Sequence, residues 1–339
     1  MNPPHHCLVF DVGGTKLSGG LADRQGNIIH RQEVLTLASE GRDAILGRID
    51  LLGHAILASA RMASARMAES RGADIAAVGV ATAGQANSAS GVVVYATPNL
   101  PGWSGLDLGG CMQSMFDRPA VIENDVKAMA LGELHFGAAK GFAEVLCLTV
   151  GTGIGGAVIS NGAMLHGYAG GAGEIGHMSI DNLHGRACNC GGKGCLETYA
   201  STRALLRDFV TAHRNSDRPE FADKKVEQWT AQDVARAYAA HTEHEWPELH
   251  RVVNQAADWL GIGLAVLFNV LDPQLIVVGG SIQLFGESYL KQVQAALVDR
   301  ATRLIRPLPV IFSSVGADGG LLGAAVMAWS RVDGALQAV

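Results

Sequence analysis

Residues 7–22 read Cys7-Leu-Val-Phe-Asp11-Val-Gly13-Gly14-Thr15-Lys16-Leu-Ser-Gly-Gly-Leu-Ala22. An apolar run of strand length meets a glycine turn, and a second strand-like run follows at once. That pattern reads as a β-hairpin. It returns at residues 145–160, as Val145-Leu-Cys-Leu-Thr149-Val-Gly151-Thr152-Gly153-Ile154-Gly-Gly156-Ala-Val-Ile-Ser160. Each half of the chain thus carries one glycine-rich hairpin. Successive backbone N–H groups in such turns form anion cradles, so two of them could clamp a phosphate chain.

Working outward from the first hairpin, residues 27–35 alternate like a third strand, and residues 42–70 have the spacing of a helix. A buried strand is expected at 75–81, a helix at 105–116, a short strand at 120–122 and a helix at 125–136. Around the second hairpin, helix is expected at 197–213, 231–244, 248–271, 287–303 and 320–331. Strands are expected at 275–278 and 309–313, and the polar stretch 214–230 reads as loop.

The chain has 339 residues, 48% of them hydrophobic and 17% charged, with a formal charge of −6. It is long enough for two cores. The negative balance and the lack of a Lys/Arg run argue against nucleic acid or an anionic membrane as partner. No apolar run approaches the ~20 residues of a membrane helix, and residues 1–6 have no basic-then-apolar leader pattern. The reducing cytoplasm is the expected compartment.

Three thiols and an imidazole crowd the stretch Gly173-Glu174-Ile-Gly-His177 … Cys188-Asn-Cys190-Gly-Gly-Lys-Gly-Cys195-Leu-Glu197. Three thiolates and one histidine make a closed tetrahedral shell for Zn²⁺, which would be structural because no position is left for water. Buried free thiols or a disulfide are the alternatives. Cys7, Cys111 and Cys147 read as buried thiols.

Two motif matches fail on context. Gly151-Thr-Gly153-Ile-Gly-Gly156 satisfies G-x-G-x-x-G, but that dinucleotide fingerprint opens a helix. Here a short apolar strand follows. Gly13-Gly14-Thr15-Lys16 lacks the spacing of a P-loop.

The duplicated hairpin unit resembles the α/β, two-lobed actin/hexokinase-like (ribonuclease H-like) fold. From Asp11 to about Ala328, the motifs in order resemble the ROK family of sugar kinases and related repressors, both its glucokinase-like and its N-acetylmannosamine kinase-like members. The resemblance rests on Asp11-Val-Gly-Gly-Thr-Lys16, Glu123-Asn124-Asp125, Leu148–Gly156, Glu174-Ile-Gly-His177 with the cysteine cluster, and Val278-Gly279-Gly280-Ser281. It implies a small lobe of residues 1–124 plus about 320–339, and a large lobe of 125–319.

The resemblance also implies roles. Asp125 would be the catalytic base, although an Asp at a helix start is equally an N-cap. Gly84, Thr97, Asn99, Asn124, Glu174, His177 and Glu197 would join it in holding the sugar; Asn99 reads as well as a turn residue. Asp11, Gly13, Gly14, Thr15, Lys16, Thr152, Gly153, Gly279 and Gly280 would hold ATP, with Asp11 acting through Mg²⁺. Asp11 is also an ordinary turn-capping residue and Lys16 an ordinary solvated lysine. His177, Cys188, Cys190 and Cys195 would hold Zn²⁺, and His177 could offer its second nitrogen to the sugar. Trp103 reads as packing.

The function so implied is transfer of the γ-phosphoryl group of ATP to the 6-hydroxyl of a hexose, by a homodimer. Glutamine at position 85, where animal N-acetylmannosamine kinases carry Arg, and the retained Glu174 favour glucose. N-acetylmannosamine, allose or a β-glucoside are the other acceptors. A non-catalytic sugar sensor is the reading of another class. Repressors of the family carry a helix-turn-helix ahead of the sugar domain, and none fits before residue 11.

Overall fold

The computed structural model describes residues 5–66, 74–302 and 308–334. The C-terminal ends of the helices expected at 42–70 and 287–303 lie outside the described residues.

The chain divides into two compact units. The first comprises the residues up to Gly141, Met164–Ala172, and those from Ser314 onward; the second comprises Phe142–Ala163 and Gly173–Ser313.

In the first unit β1 (His6–Val12), β2 (Lys16–Ala22) and β3 (Ile28–Leu35) form an antiparallel meander. After helix α1 (Arg42–Arg66), β4 (Ile75–Thr82) joins β1 in parallel. A small hairpin, β5 (Gln85–Asn87) and β6 (Val92–Tyr95), and helix α2 (Leu108–Phe116) precede β7 (Ala120–Asn124). The sheet order is β3-β2-β1-β4-β7. Side chains of β1 alternate between two cores, as the period of a strand requires. Leu8, Phe10 and Val12 join Ile45, Ile49 and Ile56 of α1, whereas Cys7 and Val9 join Ala324 and Ala328 of the last helix. Each fully buried Leu or Phe contributes about 1.5–3 kcal/mol.

Helix α3 (Asp125–Phe136) follows β7 directly. The second unit repeats the plan. Strands β8 (Val145–Val150) and β9 (Ile154–Ser160) are antiparallel, and β10 (Ala163–Met164) extends the edge. Helices α4 (Glu197–Ala200), α5 (Thr202–His213), α6 (Ala231–Ala240) and α7 (Pro247–Leu271) lead to β11 (Leu275–Gly279), which is parallel to β8. After α8 (Gly286–Arg300), β12 (Val310–Phe312) completes the order β10-β9-β8-β11-β12. Helix α9 (Gly319–Val332) then returns to the first unit. The internal echo read from the two glycine hairpins is therefore a repeat of whole sheets.

Several expectations are corrected. The unit boundary is not at 124/125: α3 belongs with the first unit because it packs on α9. That contact is backbone-close, since a Cβ on Gly323 would lie 1.8 Å from the Ala128 carbonyl oxygen. Residues 164–172 also join the first unit, and 314–319 do so rather than the second. The helix expected at 197–213 breaks at Ser201, whose side chain caps α5 by accepting from Ala204 N. The helix expected from 105 starts at Leu108, after Asp107 accepts from Gly110 N at 2.8 Å. Trp103 is buried and donates to Thr82 Oγ1, as packing requires. Among the described residues no helix is long and apolar enough to cross a membrane.

Candidate active site

In the first unit the β1–β2 turn is closed by Gly13 N–H donating to Lys16 O at 2.9 Å. Buried Thr36 pins it from beside, with Oγ1 donating to Gly13 O at 2.7 Å and its N–H to Thr15 O at 2.9 Å. Gly14 lies against Asn99, whose Cβ is 3.6 Å from where a Gly14 Cβ would stand. Thr97 and Asn99 occupy the turn closed by Leu100 N–H on Thr97 O. Lys16 is directed to Glu33 at 2.7 Å, with its side chain 63% exposed. The lysine is thus engaged across the hairpin edge, as a solvated strand-end lysine would be.

Asp11 stands at the C-terminal end of β1, where the first turn of α9 approaches it: a Cβ on Gly320 would be 2.4 Å from Asp11 Oδ2. Burial pushes its carboxyl up to about 7, and the Asp125 carboxylate adds to the rise by repulsion. The first unit therefore holds two carboxylates close enough to interact.

Capping of α3 falls to Asn124, one residue before Asp125. Asn124 Oδ1 accepts from Val126 N and Lys127 N. Its Nδ2 donates to Gly84 O at 2.8 Å and to Asp125 Oδ1 at 3.0 Å. Asp125 is the first helical residue, and Val126 N also donates to its Oδ1 at 2.9 Å. Gly84, Asn124 and Asp125 are thereby brought together. Glu123, only 1% exposed, accepts from Asn124 N, Ser88 Oγ and His166 Nε2.

In the second unit Gly151 N donates to Gly153 O, and Gly151 O accepts from Thr202 N at the start of α5. Gly280 has φ +88, and a Cβ there would lie 2.6 Å from Val150 O, so only glycine fits beside this loop. Thr202 Oγ1 and Ser281 Oγ are 3.0 Å apart. The second glycine loop and the Gly279-Gly280 segment are therefore adjacent, with exposed Thr152 between two glycines.

His177, Cys188, Cys190 and Cys195 place one ligand atom each within 4.8 Å of one another. Cys188 Sγ is 3.6 Å from His177 Nδ1, and Cys190 Sγ is 3.7 Å from Cys195 Sγ. The edges of a tetrahedron with arms of ~2.3 Å are ~3.8 Å, so the set fits Zn²⁺ and is far from the ~2.05 Å of a disulfide. Burial pushes the Cys188 thiol up to about 12, whereas the Gly192 N–H holds Cys190 below the usual thiol range. Glu197 joins this cluster to the glycine loop: Oε1 lies 3.2 Å from Cys188 Sγ, and Oε2 is 3.4 Å from Ile154 N. Glu174 is exposed just ahead of the single turn Ile175–His177.

Thr36, Ser88, Lys127, His166 and Thr202 were invisible as site residues. Their role comes from long-range hydrogen bonds, and no local pattern marks a lone Thr, Ser or His as a brace.

Two α/β units with the same strand order, each opening on a glycine hairpin, define the duplicated ribonuclease H-like fold of the actin/hexokinase type. The ROK family model matches residues 7–331, and the chain belongs to the ROK family. A glucokinase of Halalkalibacterium halodurans is 32% identical over 322 residues, covering 92% of this chain and 92% of its own length. The glucokinase of Streptomyces coelicolor is 33% identical over 335 residues, covering 94% and 96%. The crystal structure of a ROK family glucokinase from Streptomyces griseus in complex with glucose and AMPPNP matches with a TM-score of 0.79 at 30% identity, covering 96% of this chain and 99% of that one.

Proposed function

We propose that this protein is an ATP-dependent hexose kinase that phosphorylates the 6-hydroxyl of its sugar, with glucose as the preferred acceptor. The observation that carries the reading is the Asn124–Asp125 turn. Because Asn124 takes over the capping, Asp125 is not needed as the N-cap of α3. Its carboxylate is instead oriented by two donors at a helix start, as a positioned general base would be. The similarity to glucokinases over nearly the whole chain supports the same reading.

In this reading Asp125 accepts the proton of the sugar hydroxyl as it attacks the γ-phosphorus, and Asn124 keeps Asp125 aimed. In the first unit Gly84, Thr97 and Asn99 are the further candidate sugar contacts. In the second, Glu174, His177 and Glu197 are candidate sugar contacts by their likeness to the family's motifs. His177 Nδ1 faces the sulfur cluster, which leaves Nε2 for a hydroxyl. Each unit's glycine hairpin offers donors suited to phosphate: the Gly14 and Thr15 N–H groups with the Thr15 hydroxyl in the first, and the Thr152 and Gly153 N–H groups with the Thr152 hydroxyl in the second. Gly279 and Gly280 border the nucleoside. Asp11 would hold Mg²⁺ through water, and that ion would offset charge on the phosphates. His177, Cys188, Cys190 and Cys195 would hold a structural Zn²⁺. We read the protein as a cytoplasmic homodimer.

A coupled ADP-release assay with glucose, mannose, N-acetylmannosamine, N-acetylglucosamine, allose and fructose tests the proposal. The highest kcat/KM is expected with glucose. A higher value with N-acetylmannosamine would replace glucose as the acceptor. Tight sugar binding without turnover on any of the six would make the protein a sensor.

A further inference from the structure

The segment Met164–Ala172 begins at the last residue of β10 and precedes Glu174, yet it packs with the first unit. It contributes no buried apolar side chain, and Tyr168 is fully exposed. His166, Gly167, Tyr168 and Gly170 border a cavity of about 440 Å³, with Ala86 and Ser88 also in its lining. A strap with open space on one side and no apolar anchor is held by its polar contacts. Two of these stand out, and they fall on either side of Asn124–Asp125. His166 Nε2 is 2.8 Å from Glu123 Oε2. Lys127 Nζ, buried, donates to Gly170 O at 2.6 Å.

We propose that His166 is a positioning residue for the Asn124–Asp125 turn, which it braces by bonding Glu123 and so clasping the Met164–Ala172 strap to the turn. The link is a single carboxylate. Glu123 Oε2 receives His166 and Ser88, while Oε1 receives the N–H of Asn124 itself. A nearly fully buried carboxylate that loses a donor must find another or reorient, because an unmet buried charge is costly. Reorientation would pull on the Asn124 N–H and on the caps that aim Asp125. Lys127, in the first turn of α3, closes the clasp from the other side. His166 acts through Glu123 and is assigned no contact with sugar or phosphate. The inference rests on the sugar-kinase reading in one respect, that Asp125 is the base.

The test compares the parent chain with His166→Leu and His166→Gln, the latter keeping an Nε2 donor. Amide hydrogen exchange without substrates is read over peptides covering 123–127 and 164–172. Steady-state constants are read for the best sugar of the panel and for ATP. His166→Leu should speed exchange in both regions at least tenfold and lower kcat/KM for sugar about tenfold, with the KM for ATP within twofold. His166→Gln should restore both. Unchanged exchange at 123–127 in His166→Leu overturns the proposal. So does a loss shared equally by sugar and ATP that glutamine does not rescue, since that marks general loosening. If the parent phosphorylates no sugar, the kinase reading fails by itself and the exchange data still decide whether the clasp exists.

Discussion

Asp125→Asn is the sharpest test of the proposed chemistry, because the structure says what it would leave in place. Asp125 Oδ1 accepts from Val126 N at 2.9 Å and from Asn124 Nδ2 at 3.0 Å. The amide oxygen of asparagine can accept both, so the turn should keep its shape. The losses are the negative charge and the proton acceptor. The charge interaction with the helix end is worth about 0.3–1 kcal/mol. Against that, the repulsion with Asp11 disappears, so net stability should stay within about 1 kcal/mol. Sugar affinity should stay within about tenfold, or 1.4 kcal/mol. Turnover should fall by about 10²–10⁴, or roughly 3–5 kcal/mol of transition-state stabilisation. Calorimetric sugar affinity and turnover should be measured on the same preparation. Turnover near that of the parent, with sugar binding intact, would remove Asp125 from the mechanism.

Purified protein should contain about one zinc per chain, and Cys190→Ser or chelation should lower the melting temperature. Because Glu197 touches both Cys188 and Ile154 N, metal loss should also raise the KM for ATP; metal-free protein with full activity would refute the site. Asp11 gives a pH prediction for protein without Mg²⁺. Its folded pKa, about 7, lies above the ordinary carboxyl value, so the folded state binds the proton more tightly. That contribution is fully present below about pH 4 and is lost as pH rises through about 7, a fall of at most a few kcal/mol. Denaturant midpoints of the parent and of Asp11→Asn between pH 4 and 8 would show it, and equal slopes would count against it.

The parts of this site that could be read in advance are those whose residues are neighbours along the chain. His177 and the three cysteines lie close in sequence, and glycines at fixed offsets let a short segment wrap an ion. The two hairpins announced themselves in the same way, since strand period and turn chemistry are local. Where the reading erred, a distant partner decided. The α3 helix was given to the wrong unit because its packing on α9, through Gly323, joins residues nearly 200 positions apart. Lys16, which reads equally as a phosphate ligand and as a solvated strand-end lysine, pairs with Glu33 of the neighbouring strand, a contact that no spacing along the chain announces. Asn124 and Asp125 are both good caps, and only the backbone at the end of β7 chose between them.

The sequence by itself therefore determined the duplicated α/β plan, the order of its motifs and the soft four-ligand cluster, because hydrophobic period, glycine placement and ligand spacing act over a few residues. Tertiary structure alone decided where the units divide and that Thr36 pins the first glycine loop. It also decided that Glu197 spans from cysteine to loop and that Glu123, Lys127 and His166 surround the Asn124–Asp125 turn. Those contacts join residues that no spacing rule connects, and each exists because a buried polar group must find its hydrogen-bond partner wherever the fold happens to bring one.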